Sequence, residues 1–190
     1  MKTVRIKMCT GLLIVLLAGL TLSCQEVANT SSPVELLVTI SETLHVLDFA
    51  DPNCGSLGVI TFRNLIKRPD IVTDPRFLDV RLTAYRVSYE RTDGGTQVPA
   101  PFTRSLSLLI PAGGAATELS TFIGFEPGVF NQAPFVALLP ANGGKDPETG
   151  KHTVEMDLVV DFFGETLSGE DVSARARQRL TFCIACGGCR

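Results

Sequence analysis

The stretch from His152 to Ile184 alternates so regularly that a β-hairpin is the one local structure that suits it. In His152 to Phe163 the even positions Val154, Met156, Leu158, Val160 and Phe162 are apolar, while the odd set includes Glu155, Asp157 and Asp161. After a turn through Gly164 to Asp171, the second strand puts Val172, Ala174, Ala176, Leu180, Phe182 and Ile184 on one face. Arg175, Arg177 and Arg179 lie on the other. A period of two marks a strand with one buried face. Folding the hairpin in either of its two even registers sets the three arginines across from the three acids, each facing pair adding about 0.2–1 kcal/mol. Three aligned arginines also suit an anion or a nucleic acid. The preferred reading is a solvated cross-strand charge ladder, because the facing acids supply the counter-charges.

The rest of the chain shows the same period and little that resembles an amphipathic helix. Strands are expected at Val34 to Ile40, Gly58 to Ile66, Leu78 to Arg91, Arg104 to Ile110, Glu118 to Phe125 and Phe135 to Leu139. Asp51-Pro52-Asn53 and Thr92-Asp93-Gly94-Gly95 are turn signals. The run Asn142 to Gly150, rich in Gly and charge, reads as a surface loop. Seven to nine strands with turns every dozen or so residues predict an all-β fold, an antiparallel sandwich occupying residues 34–190.

The N-terminus has a different character. Lys2, Arg5 and Lys7 precede an apolar run from Gly11 to Leu22. That run is about a dozen residues, enough for a signal peptide and short of the ~20 that span a bilayer. Leu20-Thr21-Leu22-Ser23-Cys24 resembles the lipobox of bacterial lipoproteins, although Thr21 and Leu22 depart from the usual pattern. The resemblance implies a signal peptide over 1–23, diacylation of Cys24, and a tether over 24–33 that ends in Asn29-Thr30-Ser31-Ser32-Pro33. Ordinary signal cleavage at the same bond is the alternative, since Thr21 and Ser23 are small. Cleavage would remove Cys9 and leave five thiols, an odd number in an oxidising compartment; lipidating Cys24 leaves an even four. Gln25 and Glu26 follow the cysteine, with no Asp of the inner-membrane retention type. The outer membrane is therefore the expected location.

Removing residues 1–23 from 190 leaves 167, enough for one domain with its own core. The 17 basic residues fall to 14 against 20 acidic ones, a net charge of −6, which disfavours nucleic acid or anionic lipid as a partner. The expected partners are the membrane, through the lipid, and another envelope protein or an extracellular ligand.

Leu82 to Gly95 (LTAYRVSYERTDGG) resembles the third strand and following turn of fibronectin type III-like domains. The closing hairpin, with its FFGETLSGEDV turn, is similar to the last two strands of immunoglobulin-like domains in bacterial envelope lipoproteins. The resemblance implies an immunoglobulin-like β-sandwich serving adhesion, scaffolding or ligand binding. It supplies no catalytic residues.

Cys183-x-x-Cys186-x-x-Cys189 is the densest constellation of reactive side chains. With Cys54 as a fourth ligand it suits zinc or an iron–sulfur cluster, and Cys186-Gly-Gly-Cys189 suits redox exchange. Both stand as the alternative to a purely structural role. The trailing Cys-Pro of ferredoxins is missing, and the chain ends before any helix that would activate a thiol. Structural disulfides are the preferred reading, with Cys54 joined to Cys183 or Cys186 and the remaining pair closing the tail. Cys183 falls on the polar face of the last strand.

No Gly-x-Ser-x-Gly elbow, His-Glu-x-x-His pair or phosphate-binding glycine loop is present. His45 and His152 are expected to be structural. The acids Asp161, Glu165, Glu170 and Asp171 around the last turn, and Asp146 and Glu148 in the long loop, match no established calcium spacing and are expected to be solvated. The chain is therefore expected to be a non-enzymatic envelope lipoprotein without a cofactor. A hydrolase with its site on strand-end loops is the third possibility.

Overall fold

The alternating hairpin forms the middle of the larger of two sheets in the computed structural model, which describes residues 32–41, 46–51, 58–71, 74–120 and 122–187. These residues belong to a unit spanning Ser31–Arg190. The expected signal peptide, Cys24, His45, Cys54 and Cys189 lie outside the described residues. Strands β1 (Val34–Ile40), β3 (Ile60–Ile66) and β6 (Ala116–Leu119) make the smaller sheet, in the order β1-β3-β6. The larger sheet uses β2 (Val46–Asp48), β4 (Val80–Arg91), β5 (Phe102–Ile110), β7 (Val154–Thr166) and β8 (Asp171–Cys183), in the order β2-β8-β7-β4-β5. The described residues contain no α-helix. The all-β, two-sheet expectation holds.

One pairing departs from the antiparallel expectation: β2 runs parallel to β8, from Val46↔Thr181 to Asp48↔Cys183. Only residues 41–45 separate β1 from β2, and the chain keeps its heading as it passes from the small sheet to the large one. It therefore meets the last strand running the same way.

The core lies between the sheets. Its fully buried side chains include Ile60 and Phe62 of β3, Leu82 of β4, Met156, Leu158 and Phe162 of β7, and Leu180 and Phe182 of β8. Phe62 and Phe162 meet edge to face across it, with ring centroids 4.9 Å apart. Strand β4 contributes in two phases. Val80 and Leu82 point inward, then Tyr85, Val87 and Tyr89 do, because its pairing with both β5 and β7 shifts between Leu82 and Ala84. Such a bulge adds one residue and moves the inward set from even to odd positions. Gly164 sits opposite Leu82 at this point, where a Cβ would collide with the Arg81 carbonyl and the Leu82 backbone.

Two expected strands are different in the structure. Glu118 to Phe125 contributes only the end of β6; beyond it Phe122 packs on Tyr85, and Phe125 stacks on Tyr89 with centroids 5.9 Å apart. Phe135 to Leu139 is a 3-10 turn over Phe135–Leu138, not a strand. Pro134 and Pro140 flank it, and proline cannot donate to a sheet ladder. Its Phe135 is buried against Phe49, Phe130 and Phe182.

The two ends of the sandwich differ in content. One end collects the start of β1, the end of β3, the start of β4, the end of β5 and the 167–170 turn. Buried Asn64 links the sheets there by donating to the carbonyls of Leu78 and Ile110. The other end carries the loop after Arg91, the 3-10 turns between Val129 and Asn142 and the residues that follow β8.

Candidate functional site: the cysteine tail and its charged surroundings

Because β2 covers the edge of β8, Cys183 is buried, although its place in the alternation puts it on the polar face. Its Sγ lies 3.8 Å from the Leu47 carbonyl. The structure joins Cys183 to Cys186 in a disulfide, with Cα atoms 6.1 Å apart. This bond closes the tail on itself, whereas the sequence favoured Cys183 or Cys186 as the partner of Cys54. A separation of three residues suffices because the chain turns sharply at Ala185, which has φ 54°. The left-handed region is uncommon for a residue with a Cβ.

Asp48 holds that turn. It is 3% exposed, and its two carboxylate oxygens accept from the backbone N–H groups of Ala185 and Cys186, both at 2.8 Å. It also accepts from Ala50 N at 3.0 Å, and Phe49 N donates to the Cys183 carbonyl at 3.0 Å. A carboxylate that gathers backbone donors fixes a loop more firmly than a neutral acceptor does. Nothing in the sequence singled out Asp48; its only signal is a lone acid inside the apolar run Val46 to Ala50.

A second cluster lies at the same end. The side chain of Arg91 is 2% exposed and those of Asp93 and Asp146 are fully buried. Arg91 donates to Asp93 through Nε at 2.7 Å and Nη2 at 2.9 Å, and to Asp146 through Nη2 at 2.8 Å. Asp93 further accepts from the backbone N–H of Gly95 and Glu155. Burial alone would raise its pKa, but these donors and the guanidinium outweigh it and bring the carboxyl down to about 2. The Asp146 carboxyl is also lowered, with burial again opposed by Arg91 and Thr149. Glu148 accepts from the N–H groups of Gln97 and Thr96 and from the Thr96 hydroxyl, which lowers its pKa as well. The Asn142 to Gly150 segment is thus a loop, but Asp146 is buried inside it and turned toward an arginine. His152 closes the same loop through Nδ1, 2.7 Å from the Gly144 carbonyl.

The arginine row of β8 forms the expected ladder, with one change of detail. Arg179 faces Asp157 and Arg175 faces Asp161, but Arg177 faces Val159, and Glu155 faces Thr181. Arg177 instead reaches diagonally to Asp157 at 2.9 Å and across β7 to Glu90 of β4 at 2.7 Å. Asp157 takes Arg179 as well, at 3.0 Å, and is 4% exposed. Burial would raise the Asp157 pKa; the two arginines reverse this and lower it. The acids of the last turn are dispersed. Asp161 pairs with Arg175 at 2.6 Å, Glu165 stands opposite Asp171, and Glu170 accepts from the hydroxyls of Thr166 and Ser168 at 2.6 Å each.

These clusters share one chemical character. In each, a carboxylate oxygen accepts from an arginine, a hydroxyl or backbone donors of the same domain, which fixes a loop or a strand pair, while the buried Oδ1 of Asp146 has no hydrogen-bond partner among the described residues. Comparison with known protein families, with curated proteins and with solved structures finds no match.

Proposed function

We propose that the chain is a lipid-anchored envelope protein whose single immunoglobulin-like domain serves as a binding or assembly module. The observation that carries this reading is the strand arrangement. The order β1-β3-β6 packed against β8-β7-β4 follows the A-B-E and G-F-C strands of immunoglobulin-like sandwiches, with β5 added beside β4 as in variable-type domains. At the centre, where antibody domains bridge their B and F strands with a disulfide, Phe62 and Phe162 stack edge to face. On this reading Tyr85 of β4, with its ring centroid 6.0 Å from that of Phe162, corresponds to the strand-C tryptophan.

The engagement of the carboxylates supports a module over an enzyme. Asp48, Asp93 and Asp146 each accept hydrogen bonds that shape their own loops. Anchoring rests on the resemblance of Leu20 to Cys24 to a lipobox and on cysteine parity. The Cys183–Cys186 bond suits the oxidising envelope, where such bonds persist.

Expression of the whole gene product in a Gram-negative host, followed by detergent-phase partition and mass spectrometry of the N-terminus, tests the anchor. Acylation at Cys24, abolished in Cys24→Ala, is the expected result; an unmodified N-terminus overturns it. In-cell photo-crosslinking from exposed positions tests the module. A reproducible partner of defined mass is expected, whereas turnover of a substrate by the purified protein would replace this reading with an enzymatic one.

A further inference from the structure

The end of the sandwich where the chain enters β1 also carries its most exposed aromatic side chain. Lys67 N donates to the Pro33 carbonyl at 3.0 Å, so the residues preceding β1 reach the domain beside the end of β3. At that same end Phe77 is 61% exposed, the highest value among the exposed large hydrophobic residues described, and Leu167 is 43% exposed. They sit on two loops stitched together. Leu167 N donates to the Asp79 carbonyl at 2.9 Å, and Ser168 donates to the Phe77 carbonyl through its N–H at 3.0 Å and its hydroxyl at 3.1 Å. The Glu170 carboxylate locks the second loop through Thr166 and Ser168. Two apolar side chains are thereby held outward on rigid backbone. Leu65 and Leu109, 37% and 48% exposed, lie one residue before the ends of β3 and β5, at the same end.

We propose that this end of the domain docks on the lipid surface, with Phe77 and Leu167 entering the interfacial region of the bilayer. The proposal rests on the reading of Cys24 as a lipid anchor. Eight residues lie between Cys24 and Pro33, nine Cα–Cα steps with a reach of at most about 32 Å when extended. A tether of that length keeps the lipid surface within reach of the end where β1 begins. Two apolar tips would hold a free domain on lipid only weakly. Attached to the surface, the same tips act at an effective concentration in the millimolar range, so a weak contact is enough to orient the domain. The surrounding charges are mixed, with exposed Arg68 and Arg76 beside Asp70 and Asp74. A mixed rim suits zwitterionic headgroups better than a strongly anionic surface.

The chain contains no tryptophan, so a single substitution gives a clean fluorescent reporter. Full-length protein purified from membranes would be made as Phe77→Trp and, for comparison, as Val98→Trp, an exposed position in the loop at the opposite end. Each would be reconstituted into phosphatidylethanolamine–phosphatidylcholine vesicles with acyl-chain-brominated lipid, and its N-terminus checked by mass spectrometry. The expected result is an acylated Cys24, with Phe77→Trp emission shifted to the blue and quenched at least twofold and Val98→Trp emission unchanged. An acylated protein in which neither reporter is quenched, or both equally, overturns the docking and leaves the anchor standing. An unmodified N-terminus overturns both.

Discussion

Arg91 and Asp146, 55 residues apart in the chain, meet through a 2.8 Å Nη2–Oδ2 contact from which water is almost wholly excluded. The contact ties the turn after β4 to the loop before β7. It turns a charged, glycine-rich segment into a fixed part of the domain. A buried charge that loses its partner is expensive, and the consequences can be measured.

Arg91→Ala leaves Asp93 and Asp146 buried without their cation. Breaking a buried pair in this way costs about 3–5 kcal/mol. Urea unfolding of the variant should show a lower midpoint with an unchanged slope. Arg91→Lys should recover only part of the loss, since one ammonium cannot reproduce the fork that serves Nε and both Nη atoms.

The same cluster sets an acid limit on stability. Asp93 has its carboxyl lowered from 3.8 to about 2, and Asp146 and Glu148 are lowered in the same direction. A carboxylate lowered in the folded state contributes stability that is complete above its ordinary value and is lost as the pH falls through its folded value. The melting temperature should therefore drop steeply between about pH 4 and pH 2. An Asp93→Asn variant should start less stable at neutral pH and show a shallower acid slope.

Asp48→Ala removes the shared acceptor of Ala50, Ala185 and Cys186 and leaves their N–H groups without it. A loss of about 1–3 kcal/mol is expected. The more specific readout is local. Amide exchange at Ala185 and Cys186 should accelerate, and dithiothreitol should reduce the Cys183–Cys186 bond faster than in the parent. If both rates stay the same while global stability falls, Asp48 does not hold the tail.

Gly164→Ala tests the bulge opposite Leu82. A methyl group there meets the Arg81 carbonyl and the Leu82 backbone, so β4 and β7 must part or change register. Overpacking of this kind costs about 1–3 kcal/mol. The exposed partner Arg175 offers a contrast: Arg175→Ala breaks a surface pair worth no more than about 1 kcal/mol. Parallel thermal melts of the two variants should separate these effects.

The hairpin of β7 and β8 was legible because every second residue repeats the same instruction, and its ladder followed with only Arg177 and Glu155 displaced from the expected facing pairs. The phase change in β4 was not legible, since Leu82 and Tyr85 are both apolar and only the partner strands reveal the extra residue between them. Phe135 to Leu139 reads as a strand from its apolar run alone; what makes it a turn is the pair of flanking prolines and its packing on Phe49 and Phe182, from distant parts of the chain. Asp48 and Asp146 share this difficulty. A single buried acid has no period, and its meaning lies in donors 137 and 55 residues away. The spacing of the cysteines favoured disulfides at the tail, but with Cys54 as the partner of Cys183 or Cys186 in place of the Cys183–Cys186 bond. Their pairing depended on an edge strand of three residues too short to stand out in the sequence.

The parallel pairing of β2 with β8 has a mechanical consequence. The chain enters the domain at one end of the sandwich and leaves it at the other, so tension between the two termini draws β2 and β8 in opposite directions along their length. Backbone hydrogen bonds that lie across the direction of pull yield together; they are not opened one at a time like a zip. With β8 further clasped to the end of β2 by Asp48, this short parallel pair would carry the load once β1 has parted from β3.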